Sequence, residues 1–135
     1  MPSKNNDFDF KLVYHLVSLI PKGKVLTYGK VAEILSIKSP RLIGRILHQN
    51  KNPKKVPCHR VVFADGALSK SYVFGGLKEQ CLRLKNEGVE FYPVNGRFQD
   101  RIKVNLRKSL WQVNQVLKIY FFLLKIFSKL SCLDC

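Results

Sequence analysis

Apolar residues in the first third of the chain recur at helical spacing in three runs, separated by glycine, proline and serine. Between Asp7 and Pro21, Phe10, Val13, Tyr14, Val17 and Ile20 fall on one helical face, with Asp9 a candidate cap and Pro21 ending the run. This predicts a first helix. Gly23 turns the chain and Val25 to Thr27 form a short extended piece. Thr27 is placed to cap a second helix, "YGKVAEIL", that buries Val31, Ala32 and Leu35. A third begins at Pro40, favourable as a first helical residue, with Ile43, Ile46 and Leu47 as its core stripe and Arg41, Arg45 and His48 off it. Two short helices joined by a tight turn, the second carrying exposed arginines, predict a helix-turn-helix.

The pattern then changes. "KNPKK" is a basic loop and "VPCHRVV" leads into a strand. The Asp65-Gly66 pair predicts a small hairpin or wing over 61–68. Gly75 and Gly76 open a fourth helix, with Leu77, Cys81 and Leu84 on one face and Gly88 closing it after Glu87. "VEF" and "RIKV" can pair around an Asn95-Gly96 turn. From Gln112 onward the chain is strongly apolar, yet Lys118, Lys125 and Lys129 form a narrow stripe. Its apolar surface of Val116, Leu117, Tyr120, Leu123, Leu124 and Phe127 needs a cover: the domain itself, a second copy or a lipid surface. Docking on the domain or self-association is the expectation. The longest uncharged stretch, Ile119 to Leu124, is far below the ~20 residues needed to cross a bilayer. The expected fold is mainly α: a small winged-helix-turn-helix-like domain over 1–111 with a short β-hairpin, and an apolar helical extension over 112–135.

At 135 residues the chain holds one domain's worth of core. Charge sharpens the picture: 24 Lys plus Arg against 9 Asp plus Glu give a net +15, a bias toward a polyanion, nucleic acid first. Four cysteines at irregular spacing and a start, "MPSKNNDFDF", without an apolar leader argue for free thiols in a reducing compartment.

Within "VPCHRVV" a thiol adjoins an imidazole. A thiol attacks as the thiolate, and His59 is the candidate base for Cys58. On an extended segment the two would face opposite ways, so contact needs a turn or a bridging water. A base also needs an orienting partner for its second nitrogen, and Glu87 is the candidate. Cys58 can equally be a small buried hydrophobe, and a zinc site from Cys58, His59, His48 and Cys81 lacks any recognised spacing.

The order "TYGKVA", "PRLIGRILHQN", "PCHRVV", "FGG", "LKNEGVEF" resembles the DNA-binding and active-site domain of the O6-alkylguanine-DNA alkyltransferases, over roughly residues 8 to 111. The resemblance implies irreversible, single-turnover transfer of an alkyl group from O6-alkylguanine in double-stranded DNA to Cys58, after the base is flipped out. It implies that His59 deprotonates Cys58 through a water, that Glu87 orients His59, and that Asn50 ties the loop between recognition helix and active site. Arg41 would fill the gap in the base stack, and Tyr28 would help rotate the nucleotide. Arg45, Arg60, Lys54 and Lys55 complete the expected DNA contacts, and Tyr72, Val73, Phe74 and Val61 the expected base pocket. No metal or cofactor is implied. The expected location is the cytoplasm, with the nucleoid, or the nucleus in a eukaryote. Larger family members have an additional N-terminal domain, which is not expected here. Leu42 and Arg45 are bulkier than the small residues often found on the family's recognition helix. Alkyltransferase-like proteins share this architecture, carry tryptophan for the acceptor cysteine and flag lesions without transfer; the cysteine at position 58 argues for transfer.

Overall fold

The computed structural model describes residues 4–93 and 102–133. Helix α1 (Lys4–Ser18) starts a turn before the expected Asp9 cap and buries Leu12, Val13, Leu16 and Val17. Phe10 and Tyr14, expected at the centre of its face, are half-buried, and the Tyr14 hydroxyl donates to the Ile46 carbonyl at 2.8 Å. Strand β1 (Leu26–Thr27) runs into α2 (Tyr28–Leu35), whose first turn is capped by Thr27 accepting from the Lys30 amide at 3.1 Å. Ser36, left-handed at φ 53°, ends α2, and Ser39 caps α3 (Pro40–His48) by accepting from the Arg41 amide. The buried residues of both helices are those expected: Val31, Ala32 and Leu35, then Ile43, Ile46 and Leu47. Helices α1, α2 and α3 pack on one another as a helix-turn-helix unit.

A single 3-10 turn, Cys58–Arg60, leads into β2 (Val61–Val62). The expected hairpin over 61–68 contracts to a turn over 63–67, where the Phe63 amide donates to the Ala67 carbonyl at 3.0 Å, while Val61 and Val62 pair in parallel with β1, Leu26 opposite Val61 and Thr27 opposite Val62. The reason lies in burial. Val61 and Val62 are both fully buried and face two separate cores: Leu26 and Val61 belong to the core of α1–α3, Val25 and Val62 to a smaller one with Leu68, Cys81, Leu84 and Val104. Strands covered on both faces suit parallel pairing between segments distant in sequence; a wing would leave one face in water. The Asp65-Gly66 turn does form, but its partner is the 102–104 segment: the Val104 amide donates to the Gly66 carbonyl at 2.9 Å, and Ala67 bridges Lys103. Gly66 sits at φ 89°, where a Cβ would lie 2.5 Å from the Val104 carbonyl oxygen, so only glycine fits. Phe91 bridges Val104 in antiparallel sense as "VEF" and "RIKV" suggested, while the Asn95-Gly96 turn itself lies outside the described residues.

Helix α4 (Gly76–Asn86) buries Gln80, Cys81 and Leu84, and a short helix α5 (Leu106–Ser109) returns the chain to Val25. Helix α6 (Gln115–Leu133) packs on α2. It docks by Phe121, 1% exposed, with Leu117 and Leu124 beside it. That face differs from the expected one: Val116, Leu123 and Phe127 point to solvent, while Tyr120, though partly exposed, turns its hydroxyl to His15 Nε2 at 3.1 Å and packs edge-on against that ring. Lys125 joins the docking face, donating to the carbonyls of Leu35 (2.8 Å) and Ser36 (2.6 Å) at the negative end of α2. Among the described residues no helix is long and apolar enough to cross a membrane.

Candidate active site and DNA-facing pocket

The loop from α3 to β2 is tied by one side chain. Asn50, buried, donates from Nδ2 to the Val56 carbonyl (2.8 Å) and to Cys58 Sγ (3.4 Å), and its Oδ1 accepts from the Asn52 amide (3.1 Å). Pro57 precedes the 3-10 turn and its carbonyl accepts from the Arg60 amide, so Cys58 and His59 lie on a tight turn rather than on opposite faces of a strand. Both are buried.

His59 Nε2 lies 2.8 Å from Glu87 Oε1. A carboxylate only accepts, so Nε2 carries the proton and Nδ1 presents its lone pair. Nδ1 is buried and receives no hydrogen bond from the protein. Glu87, at the end of α4, is held in turn by Arg60, whose Nε and Nη2 reach its two oxygens at 3.0 and 2.8 Å while Nη1 donates to the Ile20 carbonyl at 2.7 Å. Gln80, missed in the sequence, fixes the turn from behind: Nε2 donates to the His59 and Val61 carbonyls and Oε1 accepts from the Ser69 amide.

The electrostatics follow from burial. Burial pushes the Cys58 thiol up, partly offset by the Asn50 hydrogen bond and the nearby positive charge of Arg83. Burial pulls His59 down, outweighing the support of Glu87. Burial pushes the Glu87 carboxyl up, but the hydrogen bonds from Arg60 and His59, reinforced by their charges, more than reverse it and leave it below the usual carboxylate range. At neutral pH the resting state is therefore a protonated thiol, a neutral imidazole and a carboxylate.

Cys58 opens onto a pocket of about 700 Å³. One wall is Tyr28, whose ring meets Phe63 with centroids 5.2 Å apart; another is Tyr72 and Val73; Arg41, Gly44, Arg45 and His48 of α3 form the third. Burial pushes the Tyr72 hydroxyl up to about 12. The volume lies within the ordinary range of small-ligand clefts and exceeds what one planar aromatic ring would fill. Among the described residues no cluster of His, Cys, Asp or Glu could hold a metal ion.

Of the expected site residues, Cys58, Tyr28, Arg41, Arg45, Tyr72 and Val73 line this pocket, with Asn50, His59 and Glu87 behind it. Three are placed differently. Arg60 is engaged by Glu87 and Ile20 and is only partly exposed, so it serves the interior rather than phosphate. Val61 is wholly buried in β2, where the two cores meet. Phe74 stands behind the wall, edge-on to Tyr72 at 5.9 Å. Lys54 and Lys55, expected at the DNA rather than in the pocket, are exposed on the loop outside its lining. The sequence reading missed Phe63, Ser69, Ser71 and His48 as lining residues, and Arg83, whose guanidinium lies over the Tyr72 and Phe74 rings at 5.8 and 5.9 Å. Gly44 offered a signal. A glycine inside a helix costs about 1 kcal/mol relative to alanine, and this one lines the pocket, where a Cβ would make only ordinary contact with the Tyr28 ring at 4.0 Å.

Fold and site thus define a class: a basic helix-turn-helix protein with a thiol at the base of a pocket bordered by its recognition helix. Residues 9–89 match the sequence model of the 6-O-methylguanine DNA methyltransferase DNA-binding domain, and the chain belongs to that family, whose members repair or recognise O6-alkylguanine in DNA. It is 36% identical over 102 residues to Alkyltransferase-like protein 1 of Schizosaccharomyces pombe, covering 74% of this chain and 91% of that protein. It is 39% identical over 83 residues to the methylated-DNA–protein-cysteine methyltransferase of Thermococcus kodakarensis, covering 62% of this chain and 45% of that one, so it spans under half the length of that enzyme. The S. pombe alkyltransferase-like protein solved in complex with damaged DNA containing O6-carboxymethylguanine superposes with a TM-score of 0.69 at 32% identity, covering 84% of this chain and 100% of that one.

Proposed function

We propose that this protein binds duplex DNA containing O6-alkylguanine, takes the flipped base into the pocket above Cys58 and accepts the alkyl group on that sulfur. The observation that carries this reading is the chain Cys58–Asn50 beside His59–Glu87–Arg60 at the pocket base. In the reaction the Cys58 proton passes to His59 Nδ1, through one water, and the imidazolium is stabilised by Glu87. The sulfur lone pair forms an S–C bond to the alkyl carbon as the C–O6 bond breaks, and guanine leaves with the electron pair and takes a proton. The thioether is inert to water, so each molecule reacts once. Arg41 and Arg45, exposed on α3, supply charge for phosphate and for the gap left in the stack. The test is protein mass after incubation with O6-methylguanine DNA: one added methyl group per chain, on Cys58, is expected, and an unchanged mass would remove transfer.

A second reading, lesion recognition without transfer, draws on two observations: the match over nine-tenths of an alkyltransferase-like protein, and a burial that keeps the Cys58 thiol protonated. Preference for lesion over plain duplex without a mass gain would favour it.

A further inference from the structure

Helix α6 lies beyond the 9–89 span that defines the family, contributes nothing to the pocket, and is apolar on the side that faces away from its own domain. With Phe121 taken as the inward direction, Val116, Ile119, Leu123, Ile126 and Leu130 form the opposite stripe, at spacings of three, four, three and four residues. That is the first-and-fourth-position heptad repeat of a helix built to meet another helix. Phe127 flanks it, and the exposures of Val116, Ile119, Leu123, Phe127 and Leu130 run from 45% to 76%. Taking about 200 Å² for each large side chain and adding the exposed Phe122, the open apolar surface is on the order of 700 Å². The largest patch on an ordinary monomer is about 300–600 Å², and one side of a standard interface is about 800 Å².

We infer that the outer face of α6 is the contact surface for a second copy of this chain, pairing helix to helix in an isologous dimer. Charge favours a protein partner over lipid. A helix lying on an anionic membrane presents a broad Lys/Arg-rich polar face opposite its apolar one. Here the lysines occupy one border only, Lys125 among them is directed inward to the Leu35 and Ser36 carbonyls, and the other border is Tyr120 and Phe127. The heptad stripe itself contains no charge, so two copies close over it without burying a lysine. Docking through Phe121 holds α6 helical before it meets its partner, which removes the ordering cost that a free helix of two to three heptads would face.

The test is sedimentation equilibrium of the full chain in reducing buffer, without DNA, over a concentration series and at two salt concentrations, beside L123E and F127E. Both substitutions fall on exposed positions, and unchanged thermal melts confirm that the fold survives them. The wild type is expected to move from monomer to dimer mass with concentration, more tightly at high salt because screening relieves repulsion between +15 chains. Each variant is expected to weaken the dimer by about 100-fold or more, the loss typical of a central interface residue. A wild type that stays monomeric throughout, or variants that dimerise as well as it does, overturns the proposal. So does a monomeric wild type that co-sediments with phosphatidylserine-containing vesicles while L123E does not, which would give the face to lipid.

Discussion

The Cys58 turn and the outer face of α3 adjoin the same pocket but are built in opposite ways. Around the turn, Asn50 is locked into hydrogen bonds within its own loop, and Gln80, Arg60 and Glu87 into hydrogen bonds between segments far apart in sequence. On α3, Arg41 and Arg45 are exposed, with no ion pair to the protein among the described residues. The first arrangement is completed by folding and holds thiol, imidazole and carboxylate in fixed places; the second leaves its cations solvated and open to a polyanion. Chemistry and DNA binding should therefore be separable by mutation.

The sharpest break is Cys58→Ala. Alkyl uptake should fall to nothing while affinity for duplex DNA changes less than about twofold, since phosphate contacts carry that affinity. Mass spectrometry and a DNA titration on the same sample check it, and residual methyl removal by the variant would sink the acceptor assignment. Stability should drop only slightly, because Asn50 keeps its bond to the Val56 carbonyl.

Glu87→Ala tests whether the interior is one unit. It strips the carboxylate from both His59 and Arg60, leaving a largely buried guanidinium with only the Ile20 carbonyl. Breaking such a pair costs about 3–5 kcal/mol, readable by denaturant titration. Glu87→Gln keeps the volume and one acceptor. It should fold better than the alanine variant and still transfer about 10²-fold slower, because the neutral amide no longer stabilises the imidazolium. If Glu87→Gln transferred at the wild-type rate, the carboxylate would be structural only.

The contrast also explains what the sequence could convey. The starts of α2 and α3 and their inward faces were legible because local signals agree there: Thr27 and Pro40 mark the starts, and apolar spacing marks the buried side. Cys58, His59 and Glu87 were legible from chemistry and motif. What was not legible depends on distant pairing. Val61-Val62 reads as one arm of a hairpin because Asp65-Gly66 follows, yet its partner is β1, some 35 positions earlier. Arg60 reads as one more cation until Glu87, 27 residues on, is seen beside it. α6 has apolar residues all round, so periodicity alone could not choose Phe121 as the docking side.

On the exposed side effects should be smaller and selective. Arg41→Ala is expected to lower repair within duplex DNA about tenfold, roughly 1.4 kcal/mol, while reaction with free O6-benzylguanine is unchanged because a free base needs no extrusion. Arg45→Ala should weaken binding to every duplex alike and reduce the slope of log affinity against log salt by about 0.9, one phosphate contact. Equal losses on duplex and free base would place Arg41 in the chemistry rather than at the DNA.

The gentlest probe is pH, because it titrates the interior without replacing a side chain. His59 has its folded pKa below the 6.5 of an exposed imidazole, so the unfolded chain gains a proton there first and stability falls as pH drops through 6.5. Glu87, also lowered, contributes stability above 4.5 that is lost as pH falls further, so the two losses run in the same direction. Cys58 is raised above its ordinary 9.0, so its contribution is complete below that pH and disappears as pH rises through it. Stability against pH should therefore show a plateau between about 6.5 and 9 with a two-step acid limb, each step worth about 1.4 kcal/mol per unit of displacement. His59→Gln should erase the upper acid step and leave the lower one. An unchanged upper step in that variant would assign it to another group and leave His59 with an ordinary pKa.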